Sequence, residues 1–117
     1  MFAFPSIREF GGGVVLEAMA VGLAPLVVDY GGPGELLTSD SGVAIPIGTR
    51  EQVIARTRER LTELANDPAR IDQLAARALE RVGEEFTWPR KAERMARVYD
   101  WVLGRGPKPD FAPPKGQ

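Results

Sequence analysis

Five residues at positions 25–29, with the sequence PLVVD, limit the folds open to this chain more than any other segment. A strand covered on one face alternates apolar and polar side chains, whereas a strand of a parallel sheet is covered on both faces and is continuously apolar. Parallel strands are joined by crossover connections, usually helices. The run therefore predicts a layered α/β fold.

The segments before this run extend the same interpretation. Residues 2–5 form an apolar segment too short for a helix, in which Pro5 removes a backbone donor, so we predict a strand that ends near Ser6. Residues 14–21 are apolar on nearly all sides and are followed by Gly22, which predicts a short buried helix. Further along the chain we predict a loop at 31–34, one helical turn at 35–37 and a third strand at 42–46.

From residue 49 onward the apolar residues recur with helical spacing, and three amphipathic helices are predicted. Thr49 and Gln52 form a capping-box pair at the first start, and Asp67 with Pro68 marks the second. Gly83 is expected to end the second helix. Thr87 is expected to cap the third, whose apolar side is formed by Trp88, Ala92, Met95, Tyr99 and Val102.

The order of these elements predicts a partial doubly wound, Rossmann-like parallel sheet of about three strands over residues 1–103. Residues 104–117 contain four prolines and three glycines and are predicted to form an extended, poorly packed arm. Three strands are few, and the strand at residues 2–4 has one edge without a partner. Unless another segment or a second copy of the chain covers that edge, we expect the chain to be a piece of a larger protein, or its start to have been set too late.

Composition excludes several kinds of chemistry. The 117 residues include no Cys and no His, so disulfides, thiolate or histidine catalysis and the usual zinc sites are excluded, and no metal site is predicted. The net charge of −1 and the absence of a long apolar run favour a cytoplasmic chain that does not bind nucleic acid. The helical arginines are interpreted as solvated faces: Arg56, Arg58, Arg60, Arg77, Arg81, Arg94 and Arg97.

Three successive glycines stand where the first strand passes into the first helix. Ligands of open parallel sheets bind beyond the carboxyl ends of the strands, and free N–H groups at a helix N-terminus attract anions. The N–H groups of Gly12, Gly13, Val14 and Val15 therefore predict a phosphate site. The competing interpretation, that the glycines only permit close packing, remains open at this point.

Three carboxylates lie near these glycines. Glu17 is about 6 Å along the helix axis from Gly13, a distance that suits a ribose beside a bound phosphate. Its apolar neighbours suggest a mostly buried helix, where an unpaired carboxylate is costly and calls for a ligand or an arginine. Glu9 is expected on the other side of the phosphate, facing a second polyhydroxylated group. Glu35 is expected in the first turn of a helix, where it would complement the dipole.

Several of these residues carry a resemblance to a known family. The stretches FPSIREFGGGVVLEAMA at 4–20, GLAPLVV at 22–28 and GGPGE at 31–35 resemble the C-terminal domain of retaining GT-B glycosyltransferases, in particular family four, the group 1 type. The likeness continues through residues 42–48 and 85–88 and so spans residues 2–103. Glu9 and Glu17 match the paired glutamates of that family, with glycines between them.

The resemblance implies a role for each matching residue. Glu9, the catalytic residue, and the backbone of Phe10, Gly11 and Gly12 would hold hydroxyls of the transferred sugar. The diphosphate would lie against Gly13, Val14 and Val15, and the ribose against Glu17. One departure is visible, because the family usually has Glu-Gly-Phe-Gly where this chain has Glu9-Phe10-Gly11-Gly12.

The implied fold is the C-terminal half of a GT-B domain, and the implied function is donor binding in a retaining hexosyltransferase. The donor would be a UDP-, GDP- or ADP-sugar, with no metal or other cofactor. The partners would be the missing N-terminal domain and, for the parent enzyme, a peripheral membrane contact, and the isolated chain would be inactive. Two alternatives stay open: a non-catalytic nucleotide-binding module and a self-associating scaffold remnant.

Overall fold

The computed structural model describes residues 1–111, which contain a three-stranded parallel sheet whose strands lie side by side in the order of the sequence. Ala3 lies opposite Leu26, and Val27 lies opposite Ala44. The predicted α/β, Rossmann-like class is confirmed. The strands are β1 (Phe2–Phe4), β2 (Pro25–Asp29) and β3 (Val43–Pro46), and the helices are α1 (Gly13–Ala20), α2 (Gly31–Glu35), α3 (Arg50–Ala65), α4 (Pro68–Arg81) and α5 (Trp88–Val102).

Strand β2 is covered on both faces, as its continuous apolar run predicts. Leu26 and Val27 point to opposite faces of the sheet because successive side chains alternate along a strand. Leu26 packs in a cluster with Leu64 of α3, whereas Val27 packs with Met19 of α1. Helix α4 reaches both clusters, through Leu74 in the first and Ala78 in the second.

The predicted starts of α3 and α4 are confirmed. Thr49 accepts a hydrogen bond from the Gln52 amide at 3.3 Å, and its own amide donates to the Gln52 side chain at 2.9 Å. The Asp67 carboxylate accepts from the Arg70 amide at 3.1 Å, with Pro68 at the first helical position. Local side-chain chemistry therefore determines where both helices begin.

Two other predicted helix boundaries were wrong, and β1 ends at Phe4, before Pro5, rather than near Ser6. Helix α2 begins at Gly31, four residues before the predicted turn, because the glycines let it pack directly against the end of β2. Gly83 does not end α4, since its φ is not positive, and the chain continues through a π-helical turn at Val82–Phe86. Thr87 is the N-cap residue of α5, as predicted, but its side chain makes no capping hydrogen bond.

Three surfaces stay uncovered within residues 1–111. The outer edge of β1 has no strand partner there, and a groove of about 700 Å³ runs between the residues after β1, such as Ile7, and the side of α3 that carries Ile54 and Leu61. The predicted apolar side of α5 is exposed as well, with Trp88 87% accessible. No helix in the described part of the chain has the length and apolar character needed to cross a bilayer.

Only part of the predicted arm can be compared with the structure. Residues 104–111 form no helix or strand, as predicted, but Phe111 packs against the guanidinium groups of Arg94 and Arg97. The predicted arm at 112–117 lies outside the described residues.

The turn between α2 and β3 is held to α4 by an ionic contact. The Thr38 hydroxyl donates to the carboxylate of Asp40, and the Arg77 guanidinium pairs with that carboxylate at 3.1 Å. The hydrogen bond from Thr38, and then the contact with Arg77, lower the pKa of Asp40 below its ordinary value.

We expect the core substitution Leu74→Ala to lower the free energy of unfolding by about 2–5 kcal/mol, because Leu74 is 1% exposed and its removal leaves a cavity between α4 and the sheet. The matched control is Leu79→Ala, whose side chain is 48% exposed, and we expect it to cost less than about 1 kcal/mol. Urea unfolding of both variants measures the difference. Equal losses would contradict the assigned core.

We expect Asp40 to titrate below the ordinary aspartate pKa of about 3.9 in an NMR titration of the folded chain. Since the folded pKa is lowered, the stabilisation is present above the unfolded pKa and is lost as the pH falls through the folded pKa. Thr38→Val should raise the midpoint of Asp40, whereas Ser39→Ala should leave it unchanged. If the midpoint of Asp40 is the same in Thr38→Val as in the wild-type chain, the Thr38 hydroxyl does not lower this pKa.

Candidate functional site

Two glycine-rich segments meet beyond the carboxyl ends of β1 and β2. The first follows β1 at residues 9–12, and the second comprises residues 30–36 around α2. Between them lies a crevice of about 630 Å³. Its lining residues are Glu9, Phe10, Gly11, Tyr30, Gly31, Gly32, Glu35 and Leu36.

Backbone contact between the two segments requires glycine at particular positions. The Gly32 amide donates to the carbonyl oxygen of Phe10 at 3.2 Å, and a Cβ atom at Gly32 would lie only 2.3 Å from that oxygen. Gly12 has a φ of 67°, and a Cβ there would meet Pro33 and Leu36 at 3.0 to 3.2 Å. The packing interpretation of the glycines is therefore correct for Gly12.

The same explanation does not account for Gly11 and Gly13. No atom lies within 4 Å of a Cβ placed at either position, and neither residue has a positive φ. The space beside these two backbone units is open, so a ligand can approach their amides. Of the three glycines, Gly12 is therefore needed for packing, whereas Gly11 and Gly13 leave space for a ligand.

The N-terminus of α1 offers fewer free donors than the sequence predicts. Gly12 is the N-cap residue, and its amide donates to the Glu9 carboxylate at 3.3 Å. The Val15 amide donates to the Gly12 carbonyl at 2.8 Å. Within residues 1–111 the amides of Gly13 and Val14 keep no partner, so two of the four predicted N–H groups remain available for an anion.

Glu17 is not buried, which corrects the expectation of a carboxylate enclosed by apolar neighbours. Helix α1 is buried along Val15, Ala18 and Met19, and Glu17 lies on its opposite, exposed face. Residues four apart share a face of a helix, so Glu17 lies one turn beyond Gly13 on that same exposed face. Burial therefore gives no argument for a partner of Glu17, whereas its alignment with Gly13 suits the predicted ribose position.

The other two carboxylates line the crevice. Glu9 is half-buried and accepts from the Gly12 amide, so its position is defined by the start of α1. Glu35 is the last residue of α2 rather than a residue of the first turn, so the predicted dipole role was wrong. A carboxylate at a helix C-terminus is unfavourable, and Glu35 is exposed at the edge of the crevice.

The remaining predicted site residues lie partly in the crevice and partly outside it. Phe10 lines it, but its side chain is 98% exposed, so only its carbonyl contacts another part of the chain. Of the residues predicted to hold phosphate and ribose, Gly13, Val14 and Glu17 lie on the exposed side of α1, whereas Val15 is buried in the core. The loop at residues 46–48 also follows the carboxyl end of a strand, β3, but does not line the crevice; Gly48 lines the groove beside α3 instead.

Sequence reasoning missed one buried charge behind the crevice. Arg81 was interpreted as part of a solvated face, but it is only 5% exposed, and its guanidinium donates to the Leu36 carbonyl at 2.9 Å. The signal was present in the spacing, because Arg81 follows Leu74 and Ala78 at seven and three residues, along the apolar stripe of α4.

A glycine-lined crevice beyond the carboxyl ends of parallel strands is the usual ligand site of doubly wound α/β proteins. Residues 1–78 match the family described as glycosyl transferases group 1, and the chain belongs to this family. The family resemblance seen in the sequence is thereby confirmed.

Individual relatives agree with that assignment. The chain is 31% identical to a sucrose synthase of Denitrovibrio acetiphilus over 103 residues, which covers 85% of this chain and 13% of the relative. It is 33% identical to a D-inositol 3-phosphate glycosyltransferase of Rhodococcus opacus, across 100% of this chain and 26% of the relative. It is also 33% identical to an alpha-maltose-1-phosphate synthase of Mycolicibacterium smegmatis, across 85% and 26%. The chain therefore spans about a quarter or less of the length of these relatives.

We expect Gly32→Ala to lower the free energy of unfolding by about 1–3 kcal/mol, because its Cβ would collide with the Phe10 carbonyl and push the two segments apart. The amide NMR signals of residues 9–12 should change their chemical shifts in the same variant. Gly13→Ala is the matched control, since its Cβ meets nothing, and its effect should stay within about 0.5 kcal/mol. If both alanines behave alike, the close approach of the segments is refuted.

Proposed function

We propose that this chain is the part of a retaining hexosyltransferase that binds the nucleotide-sugar donor. The observation that carries the proposal is the pair of free amides at Gly13 and Val14, at the start of α1 in a chain of the group 1 family. These N–H groups and the positive end of the helix suit a diphosphate. A nucleotide sugar contains a diphosphate, which stays with the nucleotide when the sugar is transferred.

The carboxylates complete the proposed donor site. Glu17 lies one helical turn along the same exposed face as Gly13, where it accepts hydroxyls of the ribose. A carboxylate has about four acceptor positions, so Glu9 accepts from the Gly12 amide and still receives hydroxyls of the transferred sugar. The crevice beside Glu9, with Glu35 at its edge, is the proposed place for that sugar.

Catalysis in this proposal is electrostatic. As the bond to the sugar breaks, positive charge develops on the ring and negative charge on the departing diphosphate. The amides of Gly13 and Val14 stabilise the diphosphate, and Glu9 holds the sugar for attack from the face that the diphosphate leaves, which retains the configuration. The reaction requires no metal or redox cofactor in this scheme.

The acceptor is proposed to bind to a part of the protein outside this chain. The names of the three relatives refer to different compounds, namely sucrose, D-inositol 3-phosphate and alpha-maltose 1-phosphate, yet all three align with about the same hundred residues or more. A shared segment suits the shared component of such reactions, the donor. We therefore expect the isolated chain to bind donor nucleotide without transferring the sugar.

Titration calorimetry with UDP, GDP and ADP, each with and without its sugar, tests donor binding. We expect one nucleotide to bind and Glu17→Ala to weaken its binding about tenfold, because hydrogen bonds from the ribose to a charged group are lost. Glu59→Ala, an exposed glutamate of α3, is the matched control and should leave affinity unchanged. The donor-site proposal is refuted if no nucleotide binds or if both alanines have the same effect.

A second candidate function is self-association as a scaffold, which the uncovered edge of β1 and the apolar groove beside α3 favour. Unpaired strand edges recruit other chains. Sedimentation at several concentrations distinguishes the candidates: a dimer that Ile54→Glu dissociates supports the scaffold, and a monomer at every concentration excludes it.

A further inference from the structure

Helix α2 forms one wall of the crevice although its sequence opposes helix formation. Its five residues, GGPGE, include three glycines and one proline, the residues with the lowest helix propensity. A helix of one turn also has too few internal hydrogen bonds to be stable alone. The position of α2 must therefore come from contacts with the rest of the chain.

Arg81 supplies such a contact at the C-terminal end of α2. Its Nε donates at 2.9 Å to the carbonyl of Leu36, the residue that caps the helix, across 45 positions of sequence. A cation is favourable at the negative end of a helix, and a hydrogen bond from a charged donor is stronger than a neutral one. This bond reaches from α4, in the core, to the wall of the crevice.

The orientation of the guanidinium is set from its other side. Its Nη1 donates to Glu85 at 2.9 Å, and the second Glu85 oxygen accepts from Arg94 of α5 at 3.4 Å. The group also lies 5.4 Å from the centre of the Phe86 ring. Because Arg81 is 5% exposed, these partners offset the cost of burying its charge and hold it in one position.

The position of α2 in turn affects residues 9–12, because the two segments are in contact. The Leu36 side chain and Pro33 lie 3.0 to 3.2 Å from the position that a Cβ of Gly12 would take, and the Gly32 amide donates to the Phe10 carbonyl. A shift of α2 would therefore change the width of the crevice and the backbone beside Glu9.

We propose that Arg81 is a positioning residue: through the Leu36 carbonyl it holds α2 against residues 9–12 and so maintains the crevice. The effect of Arg81 on ligand affinity rests on the proposed donor site.

Amide hydrogen exchange of Arg81→Met tests the structural part, with the amide of Gly32 as the local probe and amides of β2 as the global probe. We expect exchange at Gly32 to accelerate about tenfold more than exchange in β2. Arg77→Met, one turn earlier on α4 and ionically paired at the surface, is the matched control and should show no such difference. Equal acceleration at both probes, or none at either, overturns the proposal.

If Arg81→Met does not fold, Glu85→Gln decides by the same comparison, because it leaves the guanidinium present and removes its charged partner. We expect exchange at Gly32 to accelerate more than exchange in β2 in this variant too, but by a smaller factor. Equal acceleration at Gly32 and in β2 overturns the proposal. Arg81→Lys should restore part of the protection at Gly32, since a lysine keeps the charge but cannot bond both partners at once.

Nucleotide affinity supplies the second readout. With the nucleotide that the wild-type chain binds, Arg81→Met should weaken binding about tenfold and Arg81→Lys less, whereas Arg77→Met should have no effect. Unchanged affinity in Arg81→Met overturns the link between Arg81 and the donor site. If the wild-type chain binds no nucleotide, the proposed function fails by itself, while the exchange data still decide whether Arg81 positions α2.

Discussion

The candidate site depends on the contact between two backbone segments, where the Gly32 amide donates to the Phe10 carbonyl. A side chain at Gly32 would prevent it, because its Cβ would lie 2.3 Å from that oxygen. The contact brings the segments after β1 and β2 into one crevice. It also leaves the open backbone at Gly11 beside the half-buried carboxylate of Glu9.

Two kinds of hydrogen-bonding group thereby lie next to each other. The start of α1 provides amide donors at Gly13 and Val14, which suit phosphate oxygens. Glu9 and Glu17 provide carboxylate acceptors, which suit hydroxyl groups. A nucleotide sugar contains both partners, since a diphosphate joins two polyhydroxylated groups. The chain belongs to the group 1 glycosyl transferase family, and a nucleotide sugar is the donor that we propose for it.

Much of the fold could be predicted because its signals are local. The continuous apolar run of β2 indicated burial on both faces, and the Thr49 and Asp67 caps marked two helix starts correctly. Two of the wrong predictions, for Glu17 and Arg81, concern side chains whose environment comes from distant elements. Glu17 is exposed because α1 buries only one side, and Arg81 is buried because α2 brings a carbonyl to it.

The sequence by itself determined the order of the strands and helices, the capped helix starts, and the positions of the glycines and of Glu9 and Glu17 along the chain. These features follow from residue types and short spacings, which act within one or two turns of chain. Only the tertiary structure decided which glycine amides stay free, which glycines are needed for packing, and that α2 is held by Arg81. Those outcomes depend on distances between segments far apart in sequence, because both steric contact and hydrogen bonding act over only a few ångströms.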